Sequence, residues 1–141
     1  DLWVSTTGTD ADFVVKLIDV YPEHAADPEP NPREVRMGGY QALVRGEVMR
    51  ARFRQSFERP EPMTPNQPTR IRFQLPDVFH TFRPGHRIMV QVQSSWFPLV
   101  DRNPQQFVDI YRATEKDFLV TTHQVYRGGD KRSSVTLPLL K

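Results

Sequence analysis

Alternation of apolar and polar residues organises this chain. In DFVVKLIDVYP, residues 12–22, Phe13, Val15, Leu17 and Tyr21 fall on one strand face, and Val14, Lys16, Ile18 and Val20 on the other. Both faces are largely apolar, which predicts a central strand, stopped by Pro22. TRIRFQL alternates cleanly, with Ile71, Phe73 and Leu75 inward and Arg70, Arg72 and Gln74 outward. EVMRARFR sets Met49, Ala51 and Phe53 against Arg50, Arg52 and Arg54. That predicts a strand with one wet face; a helix competes, because Met, Ala and Arg are good helix formers. HRIMVQVQSS puts Ile88, Val90 and Val92 on one face and Arg87, Met89, Gln91 and Gln93 on the other. Shorter strands are predicted at residues 2–5 and 40–44, while residues 79–83 fit neither face pattern.

Turn signals divide these runs. Residues 7–10 read as a turn, and 22–36 as a loop carrying Pro22, Pro28, Pro30 and Pro32. A second proline-rich loop covers residues 58–68, and Pro84-Gly85 marks another turn. Near the end, Gly128-Gly129 between FLVTTHQVY and SSVTLPLL predicts a hairpin, since both glycines can take positive φ. Residues 114–118 predict one helical turn, with Thr114 as cap and Asp117 three residues on. The count is about seven or eight strands and almost no helix, which argues for an all-β sandwich or jelly roll.

Composition narrows the picture. The chain has 141 residues, suited to one domain that buries roughly 70% of its unfolded surface. Its 13 prolines are nearly double the usual share of about 5% and disfavour long helices. Net charge is only +2, so the reading includes no nucleic-acid partner. Cysteine is absent, which removes disulfides and thiolate metal sites and leaves the compartment open. No run of about 18 apolar residues occurs, so no membrane span is expected. The chain begins at Asp1 and its first residues already read as strand and turn, so it is read as a piece of a longer protein or a processed one.

The sequence carries no recognisable catalytic motif. A serine hydrolase of the α/β type needs G-x-S-x-G, so that serine sits on a strained strand-to-helix turn. None of the seven glycines supplies it. His86 with Ser94 or Ser95 and Asp101 could be drawn as a triad, but most chains of this size offer such a set by chance. Among the four histidines no close ligand pair occurs, although His80 and His86 straddle a turn. Asp10 and Asp12 suggest a calcium loop, yet its glycine and distal glutamate are missing, so turn capping is the better reading. Arg50, Arg52, Arg54, Arg70 and Arg72 form two stripes. These read either as a solvated sheet face or as an interface with carboxylates. No metal and no cofactor is expected.

Three stretches carry a resemblance: DADFVVKLIDVYP, GHRIMVQVQSSWFPLVDRNPQ and LVTTHQVYRGGDKRSSVTLPLL. They resemble the C-terminal domain of the X-Pro dipeptidyl-peptidase and cocaine-esterase group of serine hydrolases. The best match is its α-amino acid ester hydrolase and glutaryl-7-aminocephalosporanic acid acylase branch. The resemblance implies one jelly-roll β-sandwich over residues 1–141, similar to galactose-binding domains. It implies an α/β-hydrolase catalytic domain and a helical cap earlier in the same polypeptide, with catalysis through a serine acyl-enzyme there. A periplasmic or secreted setting follows from the same resemblance. The family's domain normally begins with further strands before LWVSTT. Their absence leaves a sheet edge that a second copy would fill, so a homo-oligomer stays open.

The stretch SSWFPLVDRNP, residues 94–104, then gains a meaning. Covering Trp96 and Phe97 fully removes up to roughly 400 Å² from water, on the order of 10 kcal/mol before ordering costs. The expectation is a rim that packs against the catalytic domain and helps wall its substrate pocket. Arg102 and Asn103 would fix its turn by hydrogen bonds. Burial of both rings inside this domain alone is the competing reading. A separate functional alternative is an independent carbohydrate- or ligand-binding jelly-roll module that uses Trp3, Trp96 or Tyr40 as a stacking platform.

Overall fold

The computed structural model describes residues 1–140. Eight strands and three single-turn 3-10 segments appear among them. The strands are β1 (Leu2–Thr6), β2 (Asp12–Val20), β3 (Gln41–Arg50), β4 (Thr69–Ile71), β5 (Arg87–Gln93), β6 (His123–Val125), β7 (Arg127–Gly128) and β8 (Lys131–Arg132). They form sheets ordered β4-β1-β6 and β3-β2-β5, plus the β7-β8 ribbon. Every pairing with a defined register is antiparallel. Two compact units divide the chain: Asp1–Phe13 with Met49–Gln74 and everything from Ser94 onward, and Val14–Val48 with Leu75–Gln93.

In the first unit β1 is central. It pairs Leu2 with Ile71 on one side and Thr6 with His123 on the other. Leu2 and Val4 are buried, as are Ile71, Met63, Ala11, Ala51 and Phe13. On the alternate face, Ser5 Oγ donates to Gln124 Oε1 at 3.3 Å and meets Tyr126 Oη at 3.1 Å. In the second unit β2 is the middle strand, in register with β5 from Val14↔Gln93 to Val20↔Arg87. Val14, Val15, Leu17, Ile18 and Val20 are all buried, so the central position read from the two apolar faces holds.

Several runs end sooner than their alternation predicts. β3 joins residues 40–44 and EVMRARFR into one strand that stops at Arg50, and a 3-10 turn follows at Ala51–Phe53. The alternation fails there because Ala51 N–H bonds Ala11 O and Arg52 turns inward to a buried carboxylate. TRIRFQL pairs only over Thr69–Ile71. FLVTTHQVY pairs only over His123–Val125, leaving Val120 fully exposed. SSVTLPLL forms no strand; instead Ser134 N–H donates to Asp1 O and Ser133 Oγ accepts from Trp3 N–H. β5 is an edge strand, and Ile88 and Val90 on its apolar face are exposed. The hairpin turn is Gly129-Asp130, since Gly128 pairs with Lys131, and of the two glycines only Gly129 has positive φ.

Gly8 lies against the Gln105 backbone, where an added Cβ would overlap the Gln105 carbonyl oxygen and press on Thr121. Gly8→Ala is expected to cost on the order of 2 kcal/mol through overpacking. Urea melts should show a lower midpoint with an unchanged slope; an unaltered midpoint would mean that the Gln105 backbone yields freely.

Candidate functional site

Two carboxylates sit inside the first unit with almost no water contact. Asp10 is 0% and Asp12 2% exposed. Arg52 Nε donates to Asp10 Oδ2 at 2.7 Å, and Arg52 N–H to Asp10 Oδ1 at 3.0 Å. Arg50 grips Asp12 with two bonds, Nε to Oδ1 at 2.8 Å and Nη2 to Oδ2 at 3.0 Å. Asn103 bridges the pair, its Nδ2 donating to Asp10 Oδ2 at 3.1 Å and Asp12 Oδ1 at 2.8 Å. Burial alone would lower the Arg50 pKa, but Asp12 outweighs it, helped by Asp10 and Asp101, and holds the guanidinium above its ordinary value.

These arginines also reach the loop on both sides of Asn103. Arg52 Nη1 donates to Val108 O at 2.8 Å and Nη2 to Gln106 O at 3.3 Å, while Arg50 Nη2 donates to Asp101 O at 3.0 Å. Asn103 Oδ1 accepts Gln105 N–H at 2.8 Å, and Thr9 Oγ1 accepts Phe107 N–H at 2.8 Å. The turn-capping role expected of Asp10 and Asp12 is therefore corrected, because their oxygens are taken by arginine and asparagine. The wet face expected of Arg50, Arg52 and Arg54 is corrected too, whereas Arg70 and Arg72 do face outward. Arg54 donates to the Ala51, Glu61 and Pro62 carbonyls, and Arg70 pairs with Asp1. The carboxylates these stripes seek belong to the chain itself.

The four rim residues named from sequence take different places. Asn103 is buried in the network, and Trp96 is half-buried with its carbonyl accepting Val100 N–H. Phe97 is 63% exposed. Arg102 makes no hydrogen bond in this turn. Its guanidinium carbon stands 5.8 Å from the Phe97 ring centre and 5.3 Å from that of Phe118, so a cation–π contact replaces the expected hydrogen bonding. Phe97, Asp101, Arg102, Ile110, Tyr111 and Phe118 line a groove of about 310 Å³. A second groove of about 370 Å³ shares Ile110 and Tyr111 and adds Phe53 and Phe107.

Sequence reasoning missed the Ile110–Arg112 turn that raises Tyr111. Its signal was Asp109 ahead of Ile-Tyr, a side chain that accepts Tyr111 N–H at 3.1 Å. The capped turn expected at Thr114 is present at Glu115–Asp117. Thr114 N–H donates to Asp117 Oδ2 at 2.7 Å, and this bond helps hold the Asp117 carboxyl below its usual value.

The second unit repeats the device with histidine. Asp19 is 2% exposed; its Oδ1 meets His86 Nδ1 at 2.8 Å and its Oδ2 meets His80 Nε2 at 2.9 Å. His80 and His86 thus converge on a carboxylate. His86 spends Nδ1 on Asp19, while Ser95 Oγ accepts Phe97 N–H. No group of three potential metal ligands is arranged to hold an ion among the described residues. Of the proposed stacking residues, Trp3 lies under the Arg70 guanidinium and Tyr40 meets Tyr21 edge-on.

Asp10→Ala strands Arg52 in a buried site, so a loss of about 3–5 kcal/mol is expected. The double change Asp10→Leu with Arg52→Met should cost less than the two single costs added, by equilibrium denaturation; strict additivity would contradict the pairing. Burial raises the Asp19 pKa, but hydrogen bonds from His86 and His80, and their charge when protonated, outweigh it and hold the carboxyl below its ordinary value. A depressed carboxyl contributes stability above the ordinary carboxylate range that is lost as pH falls through its folded pKa. Asp19→Asn should lower neutral-pH stability and flatten its decline below about pH 4. Parallel profiles for the two proteins would remove Asp19 from that account.

Residues 1–136 match the family of X-Pro dipeptidyl-peptidase C-terminal non-catalytic domains. The cocaine esterase of Rhodococcus sp. (strain MB1 Bresler) is 31% identical over 140 residues, which is 99% of this chain and 22% of that protein. A selenomethionine-labelled α-amino acid ester hydrolase superposes with a TM-score of 0.80 at 53% identity, over 89% of this chain and 20% of its own. An aminopeptidase from a marine sediment archaeon (Thaumarchaeota archaeon) gives 0.83 at 46% identity, over 92% of this chain and 20% of its own. The chain therefore spans about a fifth of the length of these relatives. The all-β strands and this likeness place the fold in the jelly-roll β-sandwich class read from the sequence. The chain belongs to the family of X-Pro dipeptidyl-peptidase C-terminal non-catalytic domains.

Proposed function

We propose that this domain supports the α/β-hydrolase catalytic domain of a serine ester or amide hydrolase on the same polypeptide. The observation that carries the reading is the match to a non-catalytic C-terminal domain over residues 1–136. The names of the relatives, an esterase, an amino acid ester hydrolase and an aminopeptidase, favour acyl or aminoacyl substrates for the whole protein. Trp96, Phe97 and Arg102 then form the interdomain rim and part of the substrate-pocket wall, with Asn103 holding their turn from inside. The exposed Phe97 ring under Arg102, on a loop pinned by buried ion pairs, supports this role. The bonds available to Asp10, Asp12 and Asp19 go to structural partners, which suits a mechanical task.

Trp96→Ala distinguishes the two accounts of the rim. An interdomain role predicts that this chain still folds alone while the full-length enzyme melts at lower temperature. Burial within the domain predicts loss of folding in the isolated chain, seen by circular dichroism. A serine-directed fluorophosphonate probe should label the full-length protein on another part of the polypeptide; labelling of a serine in this chain would overturn the supporting role.

A further inference from the structure

The grooves on the first unit meet at Tyr111, which is 92% exposed. On one side stand Phe97, Phe118 and Arg102, and on the other Phe53 and Phe107. Phe57 stacks on Phe53 with centroids 6.0 Å apart, and Leu99 stands exposed two residues from Phe97. Tyr111 and Phe97, which line the grooves themselves, expose on the order of 300 Å² of side chain, and the stacked Phe57 ring extends the apolar surface beside Phe53. The largest apolar patch of an ordinary monomer is about 300–600 Å² and often functional, so the groove-lining rings reach the lower end of that range. The backing is rigid: the loop carrying Phe107 is tied to Arg52, and Tyr111 rides a turn capped by Asp109.

Charge narrows the occupant. Asp10 and Asp12 already satisfy Arg52 and Arg50, which also line the second groove. Asp101 lines the same groove as Arg102 but forms no ion pair with it; among the described residues the Arg102 guanidinium contacts only the Phe97 and Phe118 rings. A guanidinium held over two rings presents its N–H fork outward to a carboxylate. Relatives carry about four-fifths of their length outside the region this chain matches, which supplies an occupant on the same polypeptide.

We infer that the surface centred on Tyr111 is a docking face for an apolar segment of the catalytic portion. Tyr111 is its central ridge, and a carboxylate on that segment is received by Arg102. This rests on the supporting role proposed above and extends the contact beyond the four rim residues to a second groove.

The test uses the full-length enzyme with Tyr111→Cys, and separately with Phe97→Cys. This chain contains no cysteine, so peptide mass spectrometry identifies each introduced thiol after maleimide labelling. Docking predicts labelling at position 111 at least tenfold slower than in the urea-unfolded protein, at any protein concentration. In the Tyr111→Cys protein, adding Arg102→Gln should speed labelling severalfold. Labelling at position 111 within about twofold of the unfolded rate overturns the inference. If position 97 is protected while 111 is open, only the extended face fails; if both are open, the supporting contact fails as well. Protection lost on dilution would assign the face to a second copy and also overturn it.

Discussion

Taking a carboxylate out of water costs several kcal/mol, and the cost is met only when every oxygen finds a donor. Asp10 and Asp12 meet that condition jointly. Arg52 gives Asp10 a side-chain and a backbone N–H, Arg50 gives Asp12 a two-bond fork, and one Asn103 amide group serves both. None of the donors can be removed without leaving a buried acceptor short. Three segments remote in sequence, at residues 10–12, 50–52 and 101–108, are thereby fixed to one another.

Residues 101–108 form no strand or helix, so their carbonyls lack ladder partners. Buried or half-buried backbone groups need partners all the same. The spare N–H groups of Arg52 and Arg50 supply them at Gln106, Val108 and Asp101. An irregular loop thus gains the steadiness of a strand while keeping freedom to present Phe97, Phe107 and Tyr111 outward. In the second unit Asp19 does the same for the strandless residues before β5, through His80 and His86. In both places ionisable groups act as fasteners, which agrees with membership in a family of non-catalytic domains.

Strand periodicity was legible wherever a strand is central. β2 follows its two apolar faces from Asp12 to Val20, and the Thr114–Asp117 cap follows from residue types alone. Edges were less legible, because alternation records which side chains face inward, not whether a neighbouring strand is there to pair. Thus Phe73 and Leu75 keep the less exposed positions of TRIRFQL though pairing stops at Ile71. The Arg50, Arg52 and Arg54 stripe misled for a related reason. An arginine at an alternating position reads as solvent-facing, and only the fold brings Asp10 and Asp12 beside Arg52 and Arg50. Of the candidate rim, Phe97 was legible as an aromatic ring after a strand end. Tyr111 was not, since its exposure depends on a three-residue turn whose only sign is Asp109.

The central claim is that buried carboxylates hold the loop that presents the aromatic surface. Native-state hydrogen exchange on Asp12→Asn reads this directly. The account predicts that the Gln105, Phe107 and Val108 amides lose protection while the Leu17 and Val90 amides of the β2–β5 pairing keep theirs. Unchanged exchange at residues 105–108, or equal loss across both regions, would contradict it.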